Sequence, residues 1–285
     1  MKLLSYIRLT RLNQPTGIWL LFLPCLFGIF LALKKLPQSN FGEYLPTIFL
    51  FFAGSVLMRC AGCVINDLFD EKFDEKVERT KTRPIALKEI SRFQALILAG
   101  FLLFLALLIL LQFNFLTILS GFLALFLVIA YPLMKRFTYY PQIFLGLTFN
   151  FGILMSSLAI LERITLESLI LYFFATIWTV IYDTIYAYQD IVDDLKIGVK
   201  STAIKFKNNP KKILIFLNFI MFFSLILLGY FANFKSEFFL ATLVANLFLN
   251  QKIKQCDFSN PQNCLKVFKS NIWFGLIILT AIILA

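Results

Sequence analysis

The chain has 285 residues, of which 60% are hydrophobic and only 15% are charged, and its mean hydropathy is +0.82. A soluble domain of this length could not cover so much apolar surface with so few charges, so the composition excludes an ordinary water-soluble protein. The sequence instead indicates a chain that uses lipid as its solvent.

Apolar stretches of about 18 residues or more predict transmembrane helices. We predict nine of them, at 15–33, 43–66, 93–112, 114–133, 142–161, 166–187, 212–232, 236–251 and 270–285. The eighth is short, and only a few residues around Gln112 separate the third from the fourth. The sequence therefore predicts an all-α polytopic membrane protein, with about nine transmembrane helices around a central cavity, as a single domain over 1–285.

Basic residues lie unevenly on the two sides of these helices. With the N-terminus in the cytoplasm, 22 of the 27 Lys and Arg residues fall in cytoplasmic segments, four fall on the opposite side, and Arg59 lies inside a helix. This is a strong positive-inside signal, and it predicts a cytoplasmic N-terminus. The net charge of +11 then reflects topology and attraction to the lipid bilayer. No nucleic acid is expected as a partner, and the sequence does not indicate any protein partner.

Two local patterns have simpler interpretations than they first suggest. The N-terminal run 17–33 is too long for the apolar part of a signal peptide and lacks a small-residue cleavage site, so we expect a retained first helix. Cys60 and Cys63 have CxxC spacing, but both fall within a predicted helix, without histidine or a second pair. Small residues that let helices approach closely explain them better than a metal or redox site.

The second predicted helix ends in a charged stretch, NDLFDEKFDEKVERTKTRP (66–84). Asn66, Asp70 and Asp74 are four residues apart and so lie on one helical face. Carboxylates at a bilayer boundary are costly and usually functional, and three oxygen donors on one face suit a hard cation such as Mg²⁺. A solvated acidic helix end, balanced by neighbouring lysines, is the alternative, and this motif alone does not decide between them.

The sixth predicted helix ends in a similar stretch, YDTIYAYQDIVDDLKIGVKSTAI (182–204). Asp190 and Asp194 are again four residues apart, and each follows its counterpart, Asp70 or Asp74, by 120 residues. The matching offset suggests an internal duplication that relates helices 1–4 to helices 5–8. Under the predicted topology both motifs end on the cytoplasmic side. Two carboxylate pairs facing one cavity, surrounded by Lys and Arg, fit a Mg²⁺-bound diphosphate.

These motifs resemble those of the UbiA superfamily of intramembrane prenyltransferases. Within it, YPLMKRFTYYPQIFLGLTFNFGILM (131–155) and YDTIYAYQDIVDDLKIGVKSTA (182–203) are similar to the branch that acts on 4-hydroxybenzoate in ubiquinone biosynthesis. The resemblance extends from about Arg8 to the C-terminus. It departs at Gln14, in RLNQPTG (11–17), where a basic residue is expected, which argues against a phosphate contact there.

The resemblance implies a transferase with Mg²⁺ as its cofactor. Its substrates would be a polyprenyl diphosphate and 4-hydroxybenzoate. The allylic diphosphate ionises, the carbocation attacks the ring carbon ortho to the hydroxyl, and loss of a proton restores aromaticity. Because the chain contains no histidine, the proton acceptor is an aspartate, a tyrosine, water or the departing diphosphate, and we favour the diphosphate or Asp190. The expected location is a bacterial inner membrane, with the active site facing the cytoplasm.

The resemblance and the charge pattern together indicate candidate site residues. The expected metal ligands are Asn66 and the catalytic residues Asp70, Asp74, Asp190 and Asp194. The expected diphosphate contacts are Arg79, Arg83, Lys135, Arg136 and Lys200, although positive-inside topology alone also explains Lys135 and Arg136. The expected contacts to the aromatic substrate are Arg59, Asn66, Tyr131, Tyr182 and Asp183, with Tyr186 as a further aromatic face for the cation.

Arg59 is assigned on physical grounds. It precedes Asn66 by seven residues, so the two share a helical face. An unpaired arginine inside the bilayer costs about 2.5–3.5 kcal/mol, so an anionic partner is expected. Its planar fork matches the carboxylate of 4-hydroxybenzoate. The alternatives are hydrogen bonds to backbone carbonyls or a contact with Asp183.

Two other functions fit parts of the pattern. Related prenyltransferases act on haem, homogentisate or a naphthoate, and the segment 131–155 favours the hydroxybenzoate branch over these. A secondary transporter would place ionisable groups near the middle of the membrane and interrupt its helices. This chain gathers its acids at one membrane face, which argues against transport.

Overall fold

A computed structural model describes residues 2–36 and 41–285, and this part of the chain is helical, with no strand. A 3₁₀ turn at Phe41–Tyr44 precedes the third α-helix. The helices, in chain order, are α1 Lys2–Thr10, α2 Thr16–Leu33, α3 Leu45–Asp74, α4 Arg92–Leu110, α5 Phe115–Phe137, α6 Pro141–Phe149, α7 Gly152–Leu161, α8 Leu166–Ala187, α9 Ile191–Ile197, α10 Thr202–Lys205, α11 Pro210–Phe231, α12 Ser236–Gln255 and α13 Pro261–Leu284.

Each of the nine predicted transmembrane segments corresponds to helical structure. Within residues 2–36 and 41–285, eight segments are long and apolar enough to cross a membrane: α2, α3 with its 3₁₀ turn, α4, α5, α6 with α7, α8, α11 and α13. The short eighth segment of the prediction becomes α12, which falls outside this set because its last turns contain polar and basic residues. The all-α membrane fold is therefore confirmed.

Local sequence signals explain where several helices begin. Proline occupies the first turn of α3, α6, α11 and α13, where its missing N–H costs nothing. The Ser91 side chain accepts a hydrogen bond from the backbone N–H of Gln94, and the Gln94 side-chain oxygen accepts one from the backbone N–H of Ser91, which forms a capping box at α4. Asn114 caps α5 in a similar way, at 2.9 Å from the N–H of Thr117.

The fifth predicted transmembrane segment is broken in the middle, between α6 and α7. The side-chain amide of Asn150 lies at the break and donates to the carbonyl oxygens of Gly146 at 2.7 Å and Ala175 at 3.0 Å, and to the hydroxyl of Thr179 at 2.8 Å. Backbone groups freed inside a bilayer need such internal partners. Asn150 therefore links the break to α8.

Helix packing divides into a large buried cluster and two smaller ones. The largest, around Trp178, joins α2, α8, α11, α12 and α13. A second joins α1, α3 and α4, and it contains Cys60. Gly28 lets α2 and α7 approach closely, since an added Cβ there would lie 2.8 Å from the carbonyl oxygen of Ile153. The five cysteines are buried and free, so Cys60 and Cys63 act as small packing residues. Most of the surface of α4 and α5 is left unburied, facing lipid.

Candidate functional site

The end of α3 carries the first acidic motif, and its carboxylates are buried. Asp70 is 3% exposed and Asp74 is 6% exposed. The side-chain amide of Asn66 donates to Asp70 Oδ2 at 3.0 Å, as the four-residue spacing predicts for one helical face. The ammonium group of Lys135, near the end of α5, forms an ion pair with the same oxygen. Two helices thus converge on Asp70.

The loop 75–91 folds back and brings an arginine to this motif. Arg83 Nη1 donates to Asp74 Oδ2 at 2.7 Å and to Asp67 Oδ1 at 3.0 Å. Arg11, in the turn between α1 and α2, donates to the same Asp67 oxygen at 2.7 Å. Asp67 is only 2% exposed, so one buried carboxylate joins the N-terminal turn, α3 and the loop.

The second motif lies where α8 ends and α9 begins, and the same loop reaches it. Arg79 binds Asp190 through both ends of its fork, with Nε to Oδ1 at 2.7 Å and Nη2 to Oδ2 at 2.5 Å. Its Nη1 donates to the hydroxyl of Tyr186 at 3.0 Å. The backbone N–H of Glu78 donates to Asp193 Oδ2 at 3.1 Å. The structure therefore brings together two motifs that lie far apart in the sequence.

Asp194 has a different environment from its neighbours. It forms no ion pair with any residue that the structure describes. Burial and the negative charge of Asp190 raise the pKa of the Asp194 carboxyl to about 7, although Lys135 and Arg79 oppose the shift.

Two of the five expected diphosphate contacts lie to the side of this cluster. Arg136 is exposed and donates to the carbonyl oxygen of Phe69 at 2.9 Å. The ammonium group of Lys200 lies 3.3 Å from the carbonyl oxygen of Phe137. Among the described residues neither cation pairs with a motif carboxylate, whereas Arg79, Arg83 and Lys135 all do.

A cavity of about 620 Å³ begins beside the charged cluster. All five residues expected to contact the aromatic substrate line it: Arg59, Asn66, Tyr131, Tyr182 and Asp183. Arg83 lines it too, and the cavity-lining Asn66 and Arg83 donate hydrogen bonds to Asp70 and Asp74 respectively. The rest of the wall is largely apolar and comes mainly from α3, α4 and α5.

Arg59 lies deeper in the cavity wall, against α2. An added Cβ at Gly17 would lie 2.3 Å from Arg59 Nε, so only glycine leaves room for the guanidinium there. The guanidinium carbon lies 5.6 Å from the centre of the Phe149 ring. Asp183 is near enough to interact with Arg59 electrostatically, but no carboxylate of the described chain forms an ion pair with it. The guanidinium therefore lines the cavity and pairs with no carboxylate of the described residues.

Comparison with known proteins identifies the family. The UbiA prenyltransferase family matches residues 21–275, nearly the whole chain. The chain belongs to the UbiA prenyltransferase family. It is 45% identical to a mitochondrial 4-hydroxybenzoate polyprenyltransferase of Dictyostelium discoideum, over 98% of this chain and 60% of that protein. It is 44% identical to the Homo sapiens protein of the same name, over 98% of this chain and 74% of that one. The chain thus spans less than two thirds of the length of the Dictyostelium relative.

A solved UbiA structure has the same fold. It is a UbiA homolog from Archaeoglobus fulgidus bound to GPP and Mg²⁺, with a TM-score of 0.69. The match covers 97% of this chain and 99% of that one, at 18% identity. At this identity the likeness shows the fold alone.

The residues of this UbiA chain fit a magnesium site. Within the described ranges, no three acidic, cysteine or histidine side chains are grouped closely enough to hold a metal, and Asp70, Asp74 and Asp190 are paired with Lys or Arg. Asp70 Oδ1, however, is buried and has no hydrogen-bond partner in that part of the chain. A buried carboxylate oxygen without a partner is costly, and carboxylate oxygens are the ligands that Mg²⁺ prefers.

Sequence reasoning missed Arg11 and Asp67 as parts of the site. Asp67 falls outside the four-residue register of the motif, and Arg11 was counted only as a topological charge. Gln14 replaces an expected basic residue, but the same segment supplies a cation at Arg11. Arg11 and Gln14 both line the cavity. Only tertiary contact between residues 56 positions apart reveals the pair.

Proposed function

We propose that this UbiA protein transfers a polyprenyl group from a polyprenyl diphosphate to the ring carbon ortho to the hydroxyl of 4-hydroxybenzoate. This is an early step of ubiquinone biosynthesis. One observation carries the proposal: a cluster of paired carboxylates and cations adjoins a largely apolar cavity at Asn66 and Arg83. A diphosphate with a long hydrocarbon tail has the same two-part character.

The charged cluster is proposed to bind the diphosphate. Asn66, Asp70 and Asp74 would hold one Mg²⁺, and Asp190 and Asp194 would hold the other. When bound, Mg²⁺ neutralises the diphosphate oxygens and makes the diphosphate a better leaving group. Arg79, Arg83 and Lys135 already lie among these carboxylates, so their positive charges are in place for phosphate oxygens. Arg136 and Lys200 lie beside the charged cluster, and their positive charges would attract the diphosphate at longer range.

The polar end of the cavity is proposed to hold 4-hydroxybenzoate. Its carboxylate would pair with the Arg59 fork, which forms no ion pair with a carboxylate of the described chain. Asn66 and Asp183 provide polar contacts beside the ring, and the rings of Tyr131 and Tyr182 form part of the wall. This places the ring between Arg59 and the diphosphate.

The bond changes balance without an oxidant or reductant. The allylic C–O bond breaks, and the diphosphate leaves with the electron pair. The carbocation, facing the rings of Tyr131, Tyr182 and Tyr186, accepts electrons from the ring carbon, and a C–C bond forms. The proton of that carbon then passes to the departing diphosphate or to Asp190, which restores aromaticity.

The location of the chain is partly settled. It is a multi-pass membrane protein, with eight described segments able to cross a bilayer. The relatives named above are mitochondrial, which conflicts with our expectation of a bacterial inner membrane. We propose that the charged site faces the side on which the basic loops lie, which is the cytoplasm in a bacterium.

An assay with radiolabelled 4-hydroxybenzoate tests the function. The purified chain in lipid nanodiscs, with a polyprenyl diphosphate and Mg²⁺, should convert the label into a lipid-soluble product, and a chelator should stop the reaction. Asp70→Asn serves as the inactive control. Transfer to homogentisate, a naphthoate or haem, but not to 4-hydroxybenzoate, would overturn the proposal.

A further inference from the structure

The apolar part of the cavity follows one face of α3. Leu50, Gly54, Met58, Gly62 and Asn66 are each four residues apart, and all five line the cavity. Sixteen residues separate Leu50 from Asn66, so this stripe is about 24 Å long at 1.5 Å per residue. The cavity is therefore deep enough for a short prenyl chain, whereas a tail of many isoprene units must leave it.

The cavity also reaches the outer surface of the helix bundle, between α4 and α5. Phe104 of α4 and Phe122 of α5 both line the cavity, yet they are 55% and 53% exposed. Gly100, one turn before Phe104, lines the cavity and is exposed as well. Because α4 and α5 are both candidate transmembrane helices, this opening faces the hydrocarbon core of the bilayer.

Gly100 lies at a wide point of this passage. An added Cβ at Gly100 meets no atom within 4 Å, and the same holds for Gly62 of α3. Arg92 of α4 pairs with Glu71 of α3 at 2.5 Å, which aligns the two helices. Gly100 follows Arg92 by eight residues and Gly62 precedes Glu71 by nine, so along the helix axes both lie about 12–14 Å from that pair, at a similar depth.

Other glycines on this wall have a different role. An added Cβ at Gly121 of α5 would lie 2.5 Å from a methyl carbon of Leu110, so Gly121 permits close packing. The space beside Gly100 is not needed for packing. An added Cβ there displaces no protein atom, so a larger side chain would extend from open space into the passage.

We propose that Gly100 determines the donor chain length that this protein accepts, an inference that rests on the proposed prenyl transfer. It keeps the opening between α4 and α5 wide enough for the end of a long polyprenyl tail to pass into lipid. A short donor stays within the cavity and does not use the opening. The residue at position 100 therefore discriminates between long and short donors without touching the reacting atoms.

The test compares a long and a short donor on the same variants. The full chain in lipid nanodiscs with Mg²⁺ is titrated with geranyl diphosphate and with a diphosphate of nine isoprene units, and Kd is measured without any acceptor. Gly100→Phe should weaken binding of the long donor by at least about tenfold and change binding of geranyl diphosphate by less than about twofold. Gly100→Ala should have a smaller effect in the same direction.

The control is Leu123→Phe, which adds a ring on α5 two residues after Gly121 and so on the opposite side of that helix. Leu123 is 55% exposed and does not line the cavity, so neither donor should be affected. Equal losses for both donors with Gly100→Phe, or no loss for either, would overturn the inference. Transfer to 4-hydroxybenzoate is measured separately. A wild-type chain that binds both donors but prenylates no 4-hydroxybenzoate refutes the proposed function, while the binding data still decide the role of Gly100.

Discussion

At the scale of single residues, the buried aspartates of α3 differ in their partners. Asp70 keeps one oxygen without a hydrogen bond in the described chain, whereas Asp67 binds two arginines, Arg11 from the N-terminal turn and Arg83 from the loop 75–91. Four-residue spacing alone leads us to expect that Asp67, Glu71 and Asp193 tolerate substitution. The burial and pairing of Asp67 change that expectation for stability, and leave it unchanged for metal binding.

Asparagine substitutions should distinguish the aspartates that bind Mg²⁺ from Asp67, which stabilises the fold. Asp70→Asn, Asp74→Asn, Asp190→Asn and Asp194→Asn should each lower turnover at least about hundredfold while the protein still inserts, because the amide keeps the shape but loses the charge that holds Mg²⁺. Asp67→Asn should leave Mg²⁺ affinity unchanged and lower the free energy of unfolding by about 1.5–3 kcal/mol, since the half-buried Arg11 and Arg83 lose a charged acceptor while Arg83 keeps Asp74. Mg²⁺ titration and thermal unfolding measure the two effects. Substantial activity in Asp70→Asn with unchanged Mg²⁺ dependence would refute the ligand assignment.

Arg59 can be tested without removing its charge. Arg59→Lys loses the planar fork, so it should raise the KM for 4-hydroxybenzoate by about tenfold or more and leave the KM for the prenyl diphosphate nearly unchanged. Steady-state kinetics with each substrate varied in turn measures this. Equal effects on both substrates, or on neither, would show that Arg59 only supports the structure through Phe149 and α2.

The raised pKa of Asp194, about 7, predicts a pH dependence of metal binding. Below that pH the folded chain holds a proton on Asp194, and Mg²⁺ must displace it. The affinity for Mg²⁺ should therefore fall by about tenfold for each unit by which the pH is lowered. The same shift means that metal-free stability should decline as the pH rises from about 4 to about 7, since the folded state binds the extra proton in that window. Calorimetric Mg²⁺ titrations across this range measure the first effect. Asp194→Asn should remove the pH dependence, and its persistence in that variant would assign the proton to another group.

At the scale of helices, the sequence predicts well where a helical segment exists, but it predicts poorly where a segment is broken in the middle. Long apolar runs located all nine helical segments, because lipid requires every backbone group to bond within its own helix. The break between α6 and α7 was missed, since Asn150 looks like an ordinary polar residue in an apolar run until its contacts to α8 are known. The eighth predicted segment is short, and it forms α12, which falls outside the set of described helices able to span the membrane.

Topology remains a prediction that single cysteines can test. The segments 66–92 and 188–211 should both be on the cytoplasmic side, because the basic residues concentrate there. Cysteine introduced at Lys81 or at Lys207, both exposed positions, should react with a membrane-impermeant thiol reagent from that side only. The five native cysteines are buried, so background labelling should be low. Labelling of the two positions from opposite sides would refute a site built from both motifs.

At the scale of the whole molecule, the site joins two halves that the sequence could relate only by an offset of 120 residues. The four-residue spacing predicts the four motif aspartates, because this periodicity is a local property of one helix. It could not find how the loop 75–91 folds, since that depends on partners in α1, α3 and α8. The internal duplication remains our proposal, and the contacts between the motifs do not depend on it.

The contact between the two acidic motifs is concentrated in Arg79, which gives the last prediction. Arg79→Lys keeps the charge but cannot bind both Asp190 oxygens and the Tyr186 hydroxyl, so the loop should loosen from the second motif. We expect kcat/KM for the prenyl diphosphate to fall by about tenfold or more, together with a lower unfolding temperature. Tyr186→Phe is the matched control, because it removes only the hydrogen bond to Arg79 Nη1 and should cost about 1 kcal/mol of stability. If the two variants lose activity and stability equally, the bidentate contact with Asp190 does not hold the loop 75–91 against the second motif.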